Sequence, residues 1–290
     1  MFKTLKRVVG AFTAIIFIAF IIFKLAWSQP YQPDKTPDSS IAFNKIELSE
    51  SSLHYAFSGN KKSKLGVIFI HGTPGGWAAF ERYLVNDQLQ KHFFMVSVDR
   101  PGWGYSTTNN KKLNGVFSHQ ASSIASIFNQ YPNKKWLIVG HSLGASLAPQ
   151  VALESPEMVD GLLLLAGSLN PKLGNPRWYN YAAKTWLISK IVGPVMTNSN
   201  REIMKLRKQL NVMTDEIENS RLPINVVVIQ GLKDKLVSPK NPQYVTEQWQ
   251  DNFKSVEIIE LPEAGHFLPW QQGKEVIKRL LSLAEKAANH

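Results

Sequence analysis

The chain has 290 residues, of which 44% are hydrophobic and 19% are charged. This composition is that of an ordinary globular protein and excludes a disordered or fibrous chain. The absence of cysteine excludes thiol catalysis, cysteine-ligated zinc and disulfide bonds. The formal net charge is +11, but the body of the chain has no dense lysine and arginine block and no nucleic-acid-binding motif. We therefore interpret the charge as a solvated basic surface and predict no nucleic-acid partner.

Near the start of the chain, residues 8–27 form an apolar run, interrupted only by Lys24, that is long enough to cross a bilayer as a helix. Basic residues precede the run, so the positive-inside rule keeps the N-terminus in the cytoplasm. We predict that residues 1–28 are a membrane anchor and that the rest lies on the periplasmic or extracellular side. The alternative is a signal peptide cleaved near Ala26-Trp27-Ser28, which gives a secreted protein. Residues 29–40 contain three prolines and are interpreted as a linker.

From Ile41 onward, strand-like runs alternate with helix-like runs. The predicted strands cover residues 43–48, 53–58, 66–70, 93–98, 135–139, 161–166, 224–230 and 256–261. The predicted helices cover residues 77–91, 118–130 and 143–154, followed by a terminal helix from about Trp270. Most of these strands are continuous apolar runs, as expected of strands that are buried on both faces. The pattern predicts an α/β domain at residues 41–290, with a mostly parallel central sheet and helices on both faces.

One segment, at about residues 169–222, interrupts this alternation. It separates two predicted strands by far more residues than a simple crossover needs. We predict a small helical cap inserted over the carboxyl edge of the sheet, which is where ligands bind in open α/β sheets.

A possible nucleophile lies in Gly140-His141-Ser142-Leu143-Gly144, a G-x-S-x-G pattern between a predicted strand and a predicted helix. The chemistry requires the serine to stand on a sharp strand-to-helix turn, so that its hydroxyl projects into the cleft. Flanking glycines allow the neighbouring backbone to approach closely. The pattern predicts Ser142 as nucleophile and the backbone N–H of Leu143 as a donor to an oxyanion.

A serine nucleophile needs a base, and the base needs a carboxylate that fixes its tautomer. His266 follows the last predicted strand. His54 and His92 lie by early elements, His119 begins a helix and His290 is the terminus, so these fit the role less well. Asp234 follows the strand at 224–230, whereas no carboxylate follows the strand at 161–166. The order Ser142, Asp234, His266 is the order found in G-x-S-x-G hydrolases.

The loop at residues 71–76 (HGTPGG) follows the strand at 66–70 and can supply a second oxyanion donor. Its glycines allow backbone N–H groups to turn inward, and the N–H of Thr73 is the candidate. A phosphate-binding loop is the competing interpretation, but no Gly-Lys-Ser/Thr follows. His71 is interpreted as a structural anchor of the loop.

Residues 66–290 resemble the α/β-hydrolase superfamily. The resemblance rests on five stretches in the family's order: HGTPGG, DRPGWGYS, GHSLG, GLKDKLVS and EAGHF. It implies that Asp99 shapes a loop at the cleft, that Trp103 lines the substrate pocket and that Trp178 in the cap is a further pocket-wall candidate. The serine at position 142 differs from relatives that use aspartate there, such as epoxide hydrolases and haloalkane dehalogenases.

These features predict a serine hydrolase, most simply a lipase-like esterase, that acts on an ester or related acyl compound and uses no metal or cofactor. HGTPGG also resembles the loop of proline iminopeptidases, but the short cap shows no obvious acidic cluster for a free amine. A membrane-tethered binding protein that keeps the fold without turnover is a third possibility. The acyl chain length, the leaving group and the oligomeric state are left open.

Overall fold

A computed structural model describes residues 38–110 and 112–288. The predicted membrane anchor at residues 1–28 and most of the predicted linker lie outside these residues. None of the helices within the described ranges is both long and apolar enough to cross a bilayer.

A nine-stranded sheet forms the centre of the described chain. Its strands are β1 (Ala42–Glu47), β2 (Ser51–Gly59), β3 (Leu65–Ile70), β4 (Phe94–Val98), β5 (Thr107–Thr108), β6 (Lys135–His141), β7 (Val159–Leu165), β8 (Leu222–Gly231) and β9 (Phe253–Leu261). Their spatial order is β1-β2-β4-β3-β6-β7-β8-β9, and β5 pairs with β2. The strands from β4 to β9 in this order run parallel, whereas β1 and β2 are antiparallel to their neighbours. The predicted α/β class with a mostly parallel sheet is therefore confirmed.

Helices cover both faces of the sheet. They are α1 (Glu81–Leu84), α2 (Asp87–His92), α3 (Phe117–Gln130), α4 (Leu143–Glu154), α5 (Trp178–Ala183), α6 (Trp186–Glu218), α7 (Asn241–Gln248), α8 (Leu268–Gln271) and α9 (Gly273–Ala288). Ile124 of α3 and Leu147 of α4 are fully buried against one face of the sheet. Val276 and Leu280 of α9 are fully buried against the other face. The apolar central strands are thus covered on both sides, as their composition predicts.

The prediction of one helix over residues 77–91 is wrong. A 3-10 helix at Trp77–Phe80 leads into α1, and α2 begins only at Asp87. Asn86 has extended backbone, and its side chain accepts a hydrogen bond of 3.0 Å from the N–H of Leu89. Asparagine is among the preferred residues at such a cap, and this bond satisfies a free N–H group in the first turn of α2.

The chain between β7 and β8 contains α5 and α6. Helix α6 is broken at Gly193, which has φ 80 and is followed by Pro194. Its second half inserts Leu206, Leu210 and Met213 into the apolar core. This second half is therefore part of the main domain's packing and ties the segment to the sheet.

Candidate active site

The loops that carry the predicted site residues leave neighbouring parallel strands at the same edge of the sheet. The oxyanion loop follows β3, Ser142 follows β6, Asp234 follows β8 and His266 follows β9. Since carboxyl ends of parallel strands meet at one edge, these four loops converge although they are distant in sequence.

Ser142 lies on a strained turn between β6 and α4. Its backbone has φ 55 and ψ −119, a left-handed conformation that residues other than glycine rarely adopt. The N–H of Ser142 donates to the carbonyl of Leu165 on the neighbouring strand at 2.9 Å, and its own carbonyl accepts from the N–H of Ala145 at 3.0 Å. These bonds hold the turn in place and leave the side chain partly exposed.

The two glycines of the GHSLG motif are required by close backbone contacts. A Cβ on Gly144 would lie 2.1 Å from the carbonyl oxygen of Ile70, and a Cβ on Gly140 would lie 2.4 Å from the carbonyl oxygen of Gly144. The oxyanion loop also touches the turn, because a Cβ on Gly72 would lie 2.9 Å from the Cβ of Ser142. The loop after β3 and the start of α4 are thus in close backbone contact next to Ser142.

His266 and Asp234 form a short hydrogen bond of 2.7 Å between Nδ1 and Oδ2. The other carboxylate oxygen accepts the backbone N–H groups of Leu236 at 2.8 Å and Val237 at 2.9 Å. Burial alone would raise the pKa of Asp234, but the His266 hydrogen bond and these N–H donors outweigh it and lower the pKa. The ionised carboxylate therefore fixes the proton of His266 on Nδ1 and leaves Nε2 as an acceptor.

His141 supports the backbone of His266. Its Nε2 donates to the carbonyl oxygen of His266 at 2.9 Å. Burial, reinforced by the neighbouring His266, lowers the pKa of His141 to about 3, so its ring is neutral at ordinary pH. This bond links the turn that carries the serine to the loop that carries the imidazole.

The hydrogen bonds among the described residues do not include one from the Ser142 hydroxyl to His266. Contacts of this kind are often long until a substrate binds. The structure thus brings the three predicted catalytic residues to one edge of the sheet and joins two of them directly.

The loop that contains Thr73 is held by His71 and Arg100. Arg100 donates from Nε to the carbonyl of His71 at 3.0 Å and from Nη2 to the carbonyl of Gly72 at 2.8 Å. His71 donates from Nδ1 to the same Gly72 carbonyl at 2.7 Å and accepts the backbone N–H of Arg100 on Nε2 at 3.0 Å. Burial, followed by the charge of Arg100, lowers the pKa of His71 well below its usual range, so the neutral ring can accept. These are the contacts of a structural anchor.

Fixing the Gly72 carbonyl also fixes the N–H of Thr73. The two groups belong to one peptide unit and point in opposite directions when that unit is trans. With the carbonyl turned toward Arg100, the Thr73 N–H points away from Arg100, in the opposite direction within the peptide plane. No backbone partner takes this N–H, or that of Leu143, among the loop and turn hydrogen bonds of the described residues.

Glu202 of α6 pairs with Arg100 in the interior. The guanidinium donates to its carboxylate at 2.7 Å and 3.1 Å, and both side chains are almost fully buried. The indole N–H of Trp103 and the amide of Gln120 donate to the same carboxylate at 3.1 Å and 3.2 Å. Burial alone would raise the pKa of Glu202, but the charge and hydrogen bonds of Arg100 lower it. Helix α6 is therefore linked through one ion pair to the oxyanion loop.

Sequence reasoning missed the roles of His141, Arg100 and Glu202. His141 occupies the variable position of G-x-S-x-G, and Arg100 lies in the DRPGWGYS stretch, so both could have been examined with their motifs. Glu202 carries no motif signal, because a single acidic residue on a long helix is usually solvated.

The two predicted pocket residues differ in environment. Trp103 is buried with its indole N–H bonded to Glu202. Trp178 is 80% exposed. Asp99 accepts the backbone N–H groups of Trp77 at 2.7 Å and Tyr105 at 3.0 Å, the contacts of a residue that shapes a loop.

Comparison with known proteins supports this architecture. A sequence model of the alpha/beta hydrolase fold matches residues 67–189. "Probable lysophospholipase BODYGUARD 2" of Arabidopsis thaliana is 32% identical over 110 residues, which cover 37% of this chain and 23% of that protein. The 2-hydroxy-6-oxononadienedioate/2-hydroxy-6-oxononatrienedioate hydrolase of Escherichia coli is 28% identical over 142 residues, which cover 47% of this chain and 48% of that protein. The match thus spans half or less of these relatives' own length.

A solved structure shares the fold more completely. Potato (Solanum tuberosum) epoxide hydrolase I superimposes with a TM-score of 0.65 at 17% sequence identity, over 85% of this chain and 99% of that chain. The three proteins are named for three different substrates, so the likeness extends to the fold and to hydrolase relatives and not to one reaction. Together, the family match over residues 67–189 and the shared architecture show that this chain has the α/β-hydrolase fold.

Proposed function

We propose that the chain is a serine hydrolase that acts on an ester or related acyl compound through an acyl-enzyme. The observation that carries this proposal is the short His266–Asp234 hydrogen bond at the same sheet edge as the strained turn of Ser142. The bond leaves the Nε2 of His266 able to accept a proton, which is what a serine hydroxyl needs to become a nucleophile.

In this mechanism, the hydroxyl oxygen of Ser142 attacks the substrate carbonyl while His266 takes its proton. The backbone N–H groups of Leu143 and Thr73 stabilise the developing oxyanion. The imidazolium, stabilised by Asp234, then returns the proton to the leaving group. Water, activated in the same way, releases the acyl group from the serine.

Two other reactions are less well supported. An aminopeptidase needs a carboxylate for the free amine, but there is no acidic residue between Asp160 and Glu202, and Glu202 is engaged by Arg100. Epoxide hydrolases are among the relatives and neighbours, but the position at the strained turn is a serine. These points favour acyl transfer from an ester.

A fluorophosphonate probe tests the nucleophile directly. The wild-type chain should be labelled and Ser142→Ala should not. Ser146→Ala is the matched control, because Ser146 is a buried serine one turn along the same helix, and this variant should retain labelling. Equal labelling of the wild type and Ser142→Ala would contradict the assignment.

A panel of p-nitrophenyl esters of increasing acyl length separates the enzyme from a non-catalytic binding protein. We expect turnover with at least one ester and a preference that reports the acyl pocket. An absence of turnover with every ester, together with no probe labelling, would support the binding protein.

We also propose that residues 8–27 anchor the chain in a membrane with the hydrolase domain on the non-cytoplasmic side. The support is the apolar run itself and the basic residues before it. A C-terminal reporter that is active only outside the cytoplasm should give a signal, and activity of a cytoplasm-only reporter in its place would contradict this orientation.

A further inference from the structure

Helix α5 and the start of α6 expose an unusual number of large apolar side chains. Trp178 is 80% exposed and Trp186 is 70% exposed. The full set, here called the aromatic face, is Trp178, Tyr179, Tyr181, Trp186 and Leu187. Helix α5 buries none of its residues, so core packing does not explain them. A contiguous exposed apolar surface of this kind is typical of an interaction site.

Basic side chains are interspersed with the aromatic face. Arg177, Lys184 and Lys190 are exposed, and the ammonium of Lys190 lies 4.3 Å from the centre of the Trp186 ring. No acidic residue occurs from Gly161 to Arg201. The segment that carries this face therefore has apolar and basic side chains and no acidic ones, and it complements a partner that is apolar and anionic.

The surface of an anionic bilayer is such a partner, because it combines apolar acyl chains with negatively charged headgroups. Tryptophan and tyrosine partition to the boundary between headgroups and acyl chains, while lysine and arginine reach the headgroups. Basic residues near an anionic surface add to the attraction.

The chain between the apolar run and the first strand is long enough for the domain to contact the bilayer. The apolar run ends at residue 27, and the first strand begins at Ala42. At about 3.3 to 3.6 Å per extended residue, the chain between them spans at most roughly 50 Å. A domain tethered at this distance can turn any of its faces toward the bilayer.

We propose that the aromatic face docks on an anionic lipid bilayer. This inference does not depend on the proposed hydrolase activity, but it rests on the proposed membrane anchor at residues 8–27. The face continues into the loop that carries Asp234, because Arg177 donates to the carbonyl oxygens of Lys235 and Leu236 at 3.1 Å and 3.3 Å. Docking therefore brings this edge of the candidate active site to the lipid–water boundary.

Single-cysteine labelling of the full chain tests the proposal, and the lack of native cysteines makes the labelling specific. Thr185→Cys places an environment-sensitive dye in the middle of the aromatic face. Lys62→Cys is the control, because it is exposed between β2 and β3, at the opposite edge of the sheet. Both variants are reconstituted in vesicles of phosphatidylcholine with about one third phosphatidylglycerol, with or without a lipid that carries a doxyl quencher.

We expect a blue-shifted emission and strong quenching at residue 185, and neither at residue 62. Adding Trp178→Ala and Trp186→Ala to the residue 185 variant should abolish the quenching while the anchor still holds the chain in the vesicles. Replacing phosphatidylglycerol with phosphatidylcholine should weaken it several-fold. Quenching at residue 185 no greater than at residue 62 would overturn the proposal. A blue-shifted dye that the doxyl lipid does not quench would also overturn it, because another segment or a second copy would then cover the face.

Discussion

Replacing Glu202 with glutamine tests whether α6 positions the oxyanion loop. The Glu202 carboxylate accepts two hydrogen bonds from Arg100 and one each from Trp103 and Gln120. Glutamine keeps the shape of the side chain and one acceptor oxygen. It removes the charge that balances the buried guanidinium, so Arg100 is left as an uncompensated cation in the interior.

The effect on stability follows from the burial of the pair. Breaking a buried ion pair by removing one partner costs about 3 to 5 kcal/mol. We expect the lower end, about 3 kcal/mol, because glutamine retains part of the hydrogen bonding. In a domain of this size each kcal/mol shifts the Tm by about 2 to 4 °C, which gives a Tm about 6 to 12 °C lower.

The effect on activity follows from the second contact of Arg100. The same guanidinium holds the Gly72 carbonyl, and through that peptide unit it orients the N–H of Thr73. Outright loss of an oxyanion donor lowers kcat by about 100-fold to 1000-fold. Glu202→Gln loosens this donor without removing it, because His71 still holds the Gly72 carbonyl. We therefore expect kcat to fall about 10-fold with a small change in KM.

The measurements are ester hydrolysis kinetics at a temperature where the variant is folded, and thermal unfolding followed by circular dichroism. Glu218→Gln is the matched control, because it makes the same change at an exposed position on the same helix. It should leave kcat and the Tm unchanged. A Glu202→Gln enzyme with the wild-type kcat would refute the role of Glu202 in positioning the oxyanion loop. An unchanged Tm would refute the stability that we assign to the Arg100–Glu202 ion pair.

Three further predictions concern the candidate site. Asp234→Asn should lower kcat by about 10,000-fold in steady-state kinetics, because His266 loses the partner that fixes its tautomer; a loss below 10-fold would argue against the triad. Gly144→Ala should sharply reduce soluble yield and Tm, because its Cβ would lie 2.1 Å from the carbonyl oxygen of Ile70, and a wild-type Tm would contradict this packing. The folded-state pKa values of Asp234 and Glu202 are both lowered, so their stabilisation is complete above their unfolded values of about 4 and is lost as the pH falls further. Denaturant melts between pH 6 and pH 3 should show this decrease, with a shallower slope in Glu202→Gln.

Regular elements follow closely from local patterns in the sequence. The apolar run at residues 66–70 corresponds to β3 (Leu65–Ile70), and the predicted helix at residues 143–154 has the bounds of α4. In a chain where strand-like and helix-like runs alternate, a short continuous apolar run is best interpreted as a buried strand. The break between α1 and α2 could not be predicted in the same way, because the apolar pattern continues across it and only the cap residue Asn86 marks the start of α2.

Residues of the candidate site could be predicted only where a sequence motif indicates their position in the fold. Position after a predicted strand indicates three of its residues, Ser142, Asp234 and His266. Their catalytic roles stay predictions. The Arg100–Glu202 pair was not predictable, because the two residues are 102 positions apart and nothing in the sequence indicates that either charge is buried. Such a contact depends on how α6 packs over the loops, which is a tertiary property that local patterns do not encode.

Detection of the acyl-enzyme tests the central claim most directly. The chain is mixed with a p-nitrophenyl ester, quenched in acid within the first turnovers, digested and analysed by mass spectrometry. The proposed mechanism predicts one acyl group on the peptide that contains Ser142, with a burst of p-nitrophenol equal to the enzyme concentration where deacylation limits the rate. Sustained hydrolysis with the acyl group on another residue, or unchanged hydrolysis in Ser142→Ala, would contradict it.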